Sequence, residues 1–271
     1  MINDELKIII GHKPCVYDTP PDWQMLTTDP NASGFYVEDD SIIKQENNHN
    51  VLSEHSYLIP LAKKLNSMPE IKTVRIMQYR KIVSNIILPA QFNSIMSLVL
   101  PKQIFKQWDF NQITAPIDSN NQLMLSDSLN LQGYKNILNH YSACHVREDI
   151  LSFVVDSRRC GELSDVEADL FLNFPTFLIG GIGLGVYPTD LFIKVMKKIE
   201  NVVNFHYKHG WKKRQDPYQS HNIAFCLERF SSFLLIRELQ ARNINYLNVT
   251  GFTVIISEDG LYDPLNQHHV S

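Results

Sequence analysis

Two rhythms of apolar residues alternate along this chain. Residues 6–11 (LKIIIG) form a continuous apolar run closed by glycine, the pattern of a strand buried on both faces. Residues 73–80 alternate and are rich in β-branched side chains, which predicts a second strand with Tyr79, Arg80 and Lys81 at its end. Between them, Tyr57, Leu58, Leu61 and Leu65 recur at three-and-four spacing, predicting a helix over 53–66 with Ser53 as N-cap and Glu54 in its first turn. Pro60 should kink that helix or move its start later. Strand, helical crossover and strand together predict neighbouring parallel strands joined by a right-handed connection.

The same reading continues downstream. Residues 16–50 are polar and rich in Pro, Asp and Asn, a long loop with one short strand near 34–37. Residues 86–105, interrupted by Pro89 and Pro101, predict short strands and loops, and 108–127 a surface excursion. The longest helical stripe covers 131–159, through Tyr134, Ile137, Leu138, Tyr141, Cys144, Leu151, Val154 and Val155. Ser164 and Glu167 have the spacing of a capping box. Thr189 and Asp190 should cap a helix reaching Tyr207, another helix covers 223–241, and residues 252–256 are β-branched like a strand. Alternating strands and helices predict an α/β fold, one domain over 1–271 with a central, mostly parallel sheet flanked by helices. A ligand-binding half would occupy about 1–110 and a helical half about 111–245.

Composition narrows the function classes. With 271 residues, a net charge of -4 and 44% hydrophobic residues, the chain can bury a full core and is neither disordered nor a nucleic-acid binder acting through bulk charge. Cys15, Cys144, Cys160 and Cys226 are far apart and form no C-x-x-C pair, as in a cytoplasmic protein with reduced thiols. The N-terminus lacks the pattern of a signal peptide, and the longest apolar stretch, broken by four glycines, is too short to span a membrane. Peripheral membrane contact stays open, through Lys212, Lys213 and Arg214, which are also consistent with a solvated charge run. Oligomeric state is not legible.

Ligands of open α/β sheets sit beyond the carboxyl ends of strands. His12 and Lys13, after the first strand, and Tyr79, Arg80 and Lys81, at the end of the second, are therefore candidates for an anionic ligand such as a diphosphate; ordinary loop and surface positions are the alternative. The glycines of 177–187 (FLIGGIGLGVY), Gly181 among them, do not have dinucleotide-fingerprint spacing, and instead allow close approach of a ligand or another backbone. Glu38, Asp39 and Asp40 could hold a cation or form an exposed acidic run. On the predicted long helix, Tyr141, His145 and Asp149 follow at four-residue spacing, so Asp149 would orient His145 as a base; a helix-surface pair is the alternative, and Glu228 is the next candidate.

Several blocks, in order, resemble a family of bacterial predicted glycosyltransferases known mainly as a domain of unknown function in capsule and lipopolysaccharide sugar clusters. They are Ile10-Gly11-His12-Lys13, Leu52-Ser53-Glu54, Gln78-Tyr79-Arg80-Lys81 against the family's His-Tyr-Arg-Arg, the segment from Tyr141 to His145, and Glu228-Arg229. The resemblance implies a GT-A fold and transfer of a sugar from a nucleotide-sugar donor to a saccharide or glycolipid acceptor, with Tyr141, Gly181 and Arg229 on the acceptor side. Gln78 and Lys81 depart from the pattern, and the strand end lacks the Asp-x-Asp pair with which many such enzymes hold a divalent ion. The expectation is therefore metal-independent stabilisation of the leaving diphosphate by side-chain cations. A non-catalytic nucleotide- or carbohydrate-binding protein, or another α/β enzyme acting on phosphorylated small molecules, is the alternative.

Overall fold

A computed structural model describes residues 4–39, 51–92, 98–131 and 133–260. The two strands expected to be neighbours are the centre of the sheet. β1 (Glu5–Ile10) and β4 (Thr73–Gln78) run parallel over their full length, Glu5 beside Thr73 and Ile10 beside Gln78. The alternation of β1 explains the continuous apolar run. Leu6, Ile8 and Ile10 enter one core and Ile9 the other, so the strand is covered on both faces. β4 does likewise with Val74 and Ile76 on one face and Met77 on the other.

Around this pair, β2 (Gln24–Thr27) and β3 (Phe35–Tyr36) add in parallel beside β1. On the other side of β4 lies β5 (Lys81–Ser84), antiparallel, with Gln78 facing Lys81 across a two-residue turn. β6 (Gln91–Phe92), β7 (Leu98–Pro101) and β12 (Phe252–Ser257) extend the sheet, giving the order β3-β2-β1-β4-β5-β12-β7-β6. β8 (Met124–Leu125) joins through β11 (Gly185–Pro188), which pairs with β4. β9 (Ser128–Asn130) and β10 (Thr176–Leu178) form a separate two-stranded ribbon. The chain thus has the expected α/β architecture, a central sheet with parallel strands at its heart and helices on its faces.

The helices pack mainly on one face. α1 (His55–Leu65) crosses over between β3 and β4. The short α2 (Lys102–Phe105) and α3 (Phe110–Ile113) cover the opposite face, bringing Phe105, Phe110 and Ile113 against Ile9, Met77 and Ile256. α4 (Ile137–Cys144), α5 (Arg147–Arg159), α6 (Asp165–Leu172), α7 (Thr189–His209) and α8 (Asn222–Ala241) build the larger core with α1. The capping box at the start of α6 is present as expected, Ser164 and Glu167 each bonding the other's backbone N–H.

Several expectations are corrected. Residues 131–159 are not one helix: α4 ends at His145 and Val146, both extended, before α5 begins. The apolar periodicity survives because both pieces lay apolar residues against α8, and the break lets His145 stack flat on Phe225, ring centroids 3.9 Å apart. Ser53 is not the cap of α1; its φ of 50° is left-handed, its carbonyl accepts from Ser56, and Glu54 takes the capping position without a side-chain bond. Pro60 lies inside the helix, which starts at His55, two residues later than the spacing predicts. Residues 108–127 are no surface excursion, since Leu123, Met124, Leu125 and Ser126 are buried and β8 pairs in the sheet. The loop 16–50 holds the further strand β2, and at α7 Pro188 rather than Thr189 is the capping residue, without a side-chain bond. Among the described residues no helix is long and apolar enough to cross a membrane.

Candidate functional site

The carboxyl end of β1 and the turn after β4 are locked together by backbone. Tyr79 N–H donates to Ile10 O at 2.9 Å, Val16 N–H donates to Tyr79 O at 2.9 Å, and the Tyr17 hydroxyl donates to Gln78 O at 2.7 Å. A Cβ on Gly11 would stand 2.6 Å from Tyr79 Cβ, so glycine is what lets the two strand ends approach this closely. The exposed His12 ring meets Tyr79 edge-on at 5.3 Å, and the Arg80 guanidinium lies over the same tyrosine ring at 5.1 Å. Lys13 is exposed beside them, and Lys81 is half-buried as the first residue of β5. The sequence candidates His12, Lys13, Tyr79, Arg80 and Lys81 are thus brought to one end of the sheet. They cluster around a hairpin rather than a strand-to-helix loop, because Lys81 pairs back on Gln78.

The glycine run connects this strand end to α8. The Gln78 Nε2 would stand 3.6 Å from a Cβ on Gly180, and Gly180 N–H donates to Glu228 Oε1 at 2.9 Å. Gly180 is left-handed (φ 76°), as is Gly181 (φ 54°), where a Cβ would come 2.2 Å from Ser231 Oγ. Gly181 is buried against α8, which corrects its expected role: the close approach it allows is of helix to loop. Glu54, at the N-terminus of α1, reaches the other side of the same loop, its Oε1 3.6 Å from where a Gly183 Cβ would be.

Next along α8, Arg229 is 3% exposed. Its Nη1 donates to Phe225 O at 2.8 Å and stands 3.7 Å from Glu228 Oε2, while its Nη2 lies 3.2 Å from His140 Nδ1. The guanidinium faces the rings of Phe177 (4.8 Å) and Tyr141 (5.2 Å), and its Nε has no hydrogen-bond partner. An arginine only donates, so His140 Nδ1 accepts and the neutral imidazole carries its proton on Nε2. Burial and then the Arg229 charge push His140 down to about 4.

The expected His145–Asp149 relay does not form. His145 caps α4 in extended conformation, sandwiched among Phe225, Tyr218 and Tyr141, with its Nδ1 buried and unpartnered. Burial, then Arg229 and His140, push it down to about 3, too weak a base to take a hydroxyl proton efficiently near neutrality. Asp149, one residue-pair beyond the helix break, is held by Arg214 through bonds of 2.7 and 3.2 Å. Tyr141 is fully buried with its hydroxyl toward Asn222 O and Cys226, so it cannot touch an acceptor. Glu38 is exposed and Asp39 half-buried, while Asp40 lies outside the described residues. Among the described residues no group of three or more His, Cys, Asp or Glu is placed to hold a metal ion.

Sequence reasoning missed His140 and the contact of Glu54 with the glycine loop. His140 sits one residue before Tyr141 in a block already singled out, but its partner Arg229 is 89 positions away, so no local pattern could join them.

No protein-family model matches this chain, and no curated protein matches its sequence. A search of solved structures finds the bifunctional glycosyltransferase WbbM in its apo form, with a TM-score of 0.72 and 14% identity over 96% of this chain. The match spans 47% of that protein, so this chain covers about half its length. The likeness is one of fold: this chain shares its α/β architecture with about half of that glycosyltransferase.

Proposed function

We propose that this chain is a glycosyltransferase that moves a sugar from a nucleotide-sugar donor to a saccharide or glycolipid acceptor, in capsule or lipopolysaccharide synthesis. The reading is supported most by one juxtaposition: the cationic end of β4 and the carboxylate of Glu228 meet across Gln78 and Gly180. On this reading Arg80, with His12, Lys13 and Lys81, faces the donor diphosphate and offsets the charge that develops as it departs. Tyr79 positions Arg80 and His12. The first 110 or so residues form the donor half and the helices after them the acceptor half.

Glu228 takes the proton of the acceptor hydroxyl. Gly180 N–H and Arg229 fix its carboxylate, leaving it 28% exposed at the side chain. Arg229 keeps His140 neutral with its proton on Nε2, so His140 is a hydrogen-bond donor toward the acceptor sugar rather than a second base. The resemblance of the sequence blocks to bacterial predicted glycosyltransferases supports the same assignment.

The test is release of free nucleotide diphosphate from a panel of UDP-, GDP- and dTDP-sugars, and of CMP from CMP-sugars, in the presence of saccharide acceptors. EDTA should leave transfer nearly intact. Activity lost in EDTA and restored by manganese would overturn the metal-independent part; binding of donor without release of nucleotide would favour a non-catalytic binding protein.

A further inference from the structure

A cavity lies at the opposite end of β5 from the Tyr79–Arg80 turn. It has a volume of about 470 Å³ and is lined by Asn85, Ile86, Trp108, Gln112, Pro116 and Ile117 above the buried Ile113. A strand of this length spans roughly 13 Å, so the cavity is separate from the site described above.

Its walls are held in place by the chain's own hydrogen bonds. Asn85 N–H donates to Ile113 O at 2.8 Å, and the Asn85 amide donates to Gln112 O at 3.0 Å and Ala115 O at 3.2 Å. The Ser84 hydroxyl donates to Ile86 O, and Asp109 caps the helix that carries Gln112. Such fixed backbone lets exposed side chains keep one arrangement, which lowers the cost of ordering them on binding. Yet Trp108 is 36% exposed, Ile86 39% and Ile117 37%, an unusual concentration of large apolar side chains on one open surface.

The lining chemistry selects the ligand. None of the lining side chains is charged, so nothing there recognises a phosphate, a carboxylate or an anionic lipid headgroup. An indole and two isoleucines offer flat apolar surface, and the exposed Gln112 amide offers both a donor and an acceptor at its edge. A neutral sugar ring has the matching faces, C–H on one side and hydroxyls around the rim. The volume falls within the range of ligand pockets and exceeds what one ring needs.

We propose that this cleft is a secondary saccharide-binding site, which holds a neutral stretch of the glycan that the chain extends. The saccharide class rests on the lining chemistry; its identity as part of the acceptor rests on the glycosyltransferase reading. Holding the glycan at a second point raises the effective concentration of its end at the transfer site.

The full chain carries three tryptophans, so their indole N–H resonances can be followed by NMR during titration with neutral gluco-, manno-, galacto- and rhamno-oligosaccharides at millimolar concentration. Trp108 should shift saturably while Trp23 and Trp211 do not. Trp108→Ala and, independently, the milder Gln112→Ala should each weaken that binding by about tenfold. Both variants should keep wild-type thermal stabilisation by nucleotide-sugars. No response of Trp108 to any of these saccharides overturns the proposal, as does a response that instead tracks protein concentration and self-association in sedimentation. Saccharide binding without any nucleotide release would leave this site standing and remove the transferase reading, whereas nucleotide release with a silent Trp108 would do the reverse.

Discussion

Two histidine sites in this molecule, one buried and one half-buried, differ in what faces them. His206 on α7 is set against Asp156 on α5, Nδ1 to Oδ2 at 2.8 Å, both side chains 3% exposed. A carboxylate only accepts, so His206 Nδ1 carries the proton. Asp156 also accepts from Arg159, and a Cβ on Gly210 would come 1.9 Å from its Oδ2, so the pocket is closed by the only residue type that fits. His140 instead faces a cation, and its Nδ1 accepts. Around it, Arg229 Nε and His145 Nδ1 are buried without partners, which carries a desolvation cost. Full pairing at His206 suits a site that holds the fold; on the proposed reading, the unpartnered atoms near the Glu228 carboxylate on α8 await a ligand.

The largest effect should come from the carboxylate itself. Glu228→Gln keeps an oxygen for Gly180 N–H, so the loop stays in place, and turnover should fall by a factor on the order of 1000 in steady-state kinetics. A variant that retains wild-type turnover would move the base elsewhere. Asp156→Ala should do the opposite. It leaves His206 buried without its acceptor and should cost about 3 kcal/mol in denaturant midpoint while the folded fraction keeps its kcat. A stability loss at Glu228 and a turnover loss at Asp156 would invert the comparison.

Acid should expose the same contrast more gently. Burial lowers His55 and His206, and burial with the Arg229 charge takes His140 to about 4 and His145 to about 3. All lie below the unfolded value of 6.5, so as pH falls through 6.5 the unfolded chain binds protons that the folded imidazoles refuse. Stability present above that value is lost progressively toward pH 4 and below. Each of His140 and His145 should contribute on the order of 1 kcal/mol of that loss by pH 5, read from urea titrations at pH 7 and pH 5. A flat profile over this interval would mean that the imidazoles are charged or solvated. Smallest of all should be His145→Ala, whose turnover should stay within about tenfold of wild type, since a ring stacked on Phe225 acts only by packing.

The proposed donor side was far more legible in the sequence than the proposed acceptor side. β1 and β4 are buried on both faces, so their apolar runs have no competing reading, and cations following such a strand must lie at its end. What the run could not reveal is that Lys81 turns back into the sheet, because a two-residue turn of Tyr79 and Arg80 carries neither Gly nor Asn. On the acceptor side, apolar spacing continues across the break at His145 and Val146, so periodicity alone reads two helices as one. The break is imposed by aromatic stacking on α8, a contact eighty residues away in the chain. Glu228 and Arg229 were visible as an ionic pair in an apolar helix, but their partners Gly180 and His140 come from distant elements. Arg75 was likewise invisible as a buried cation: it sits mid-strand in β4 and is satisfied by Glu5 of β1, by Asn111 O of α3 and by Thr114 at the end of that helix.

Donor affinity is the most direct probe of the whole account. Calorimetric titration with the nucleotide diphosphate of whichever donor is turned over should show Arg80→Ala binding at least about tenfold more weakly than wild type, the loss expected for one charge-assisted contact. Lys72→Ala, an exposed cation just before the opposite end of the same strand, should bind as wild type does. Equal affinity for Arg80→Ala and Lys72→Ala would contradict the claim that the cationic end of β4 receives the donor.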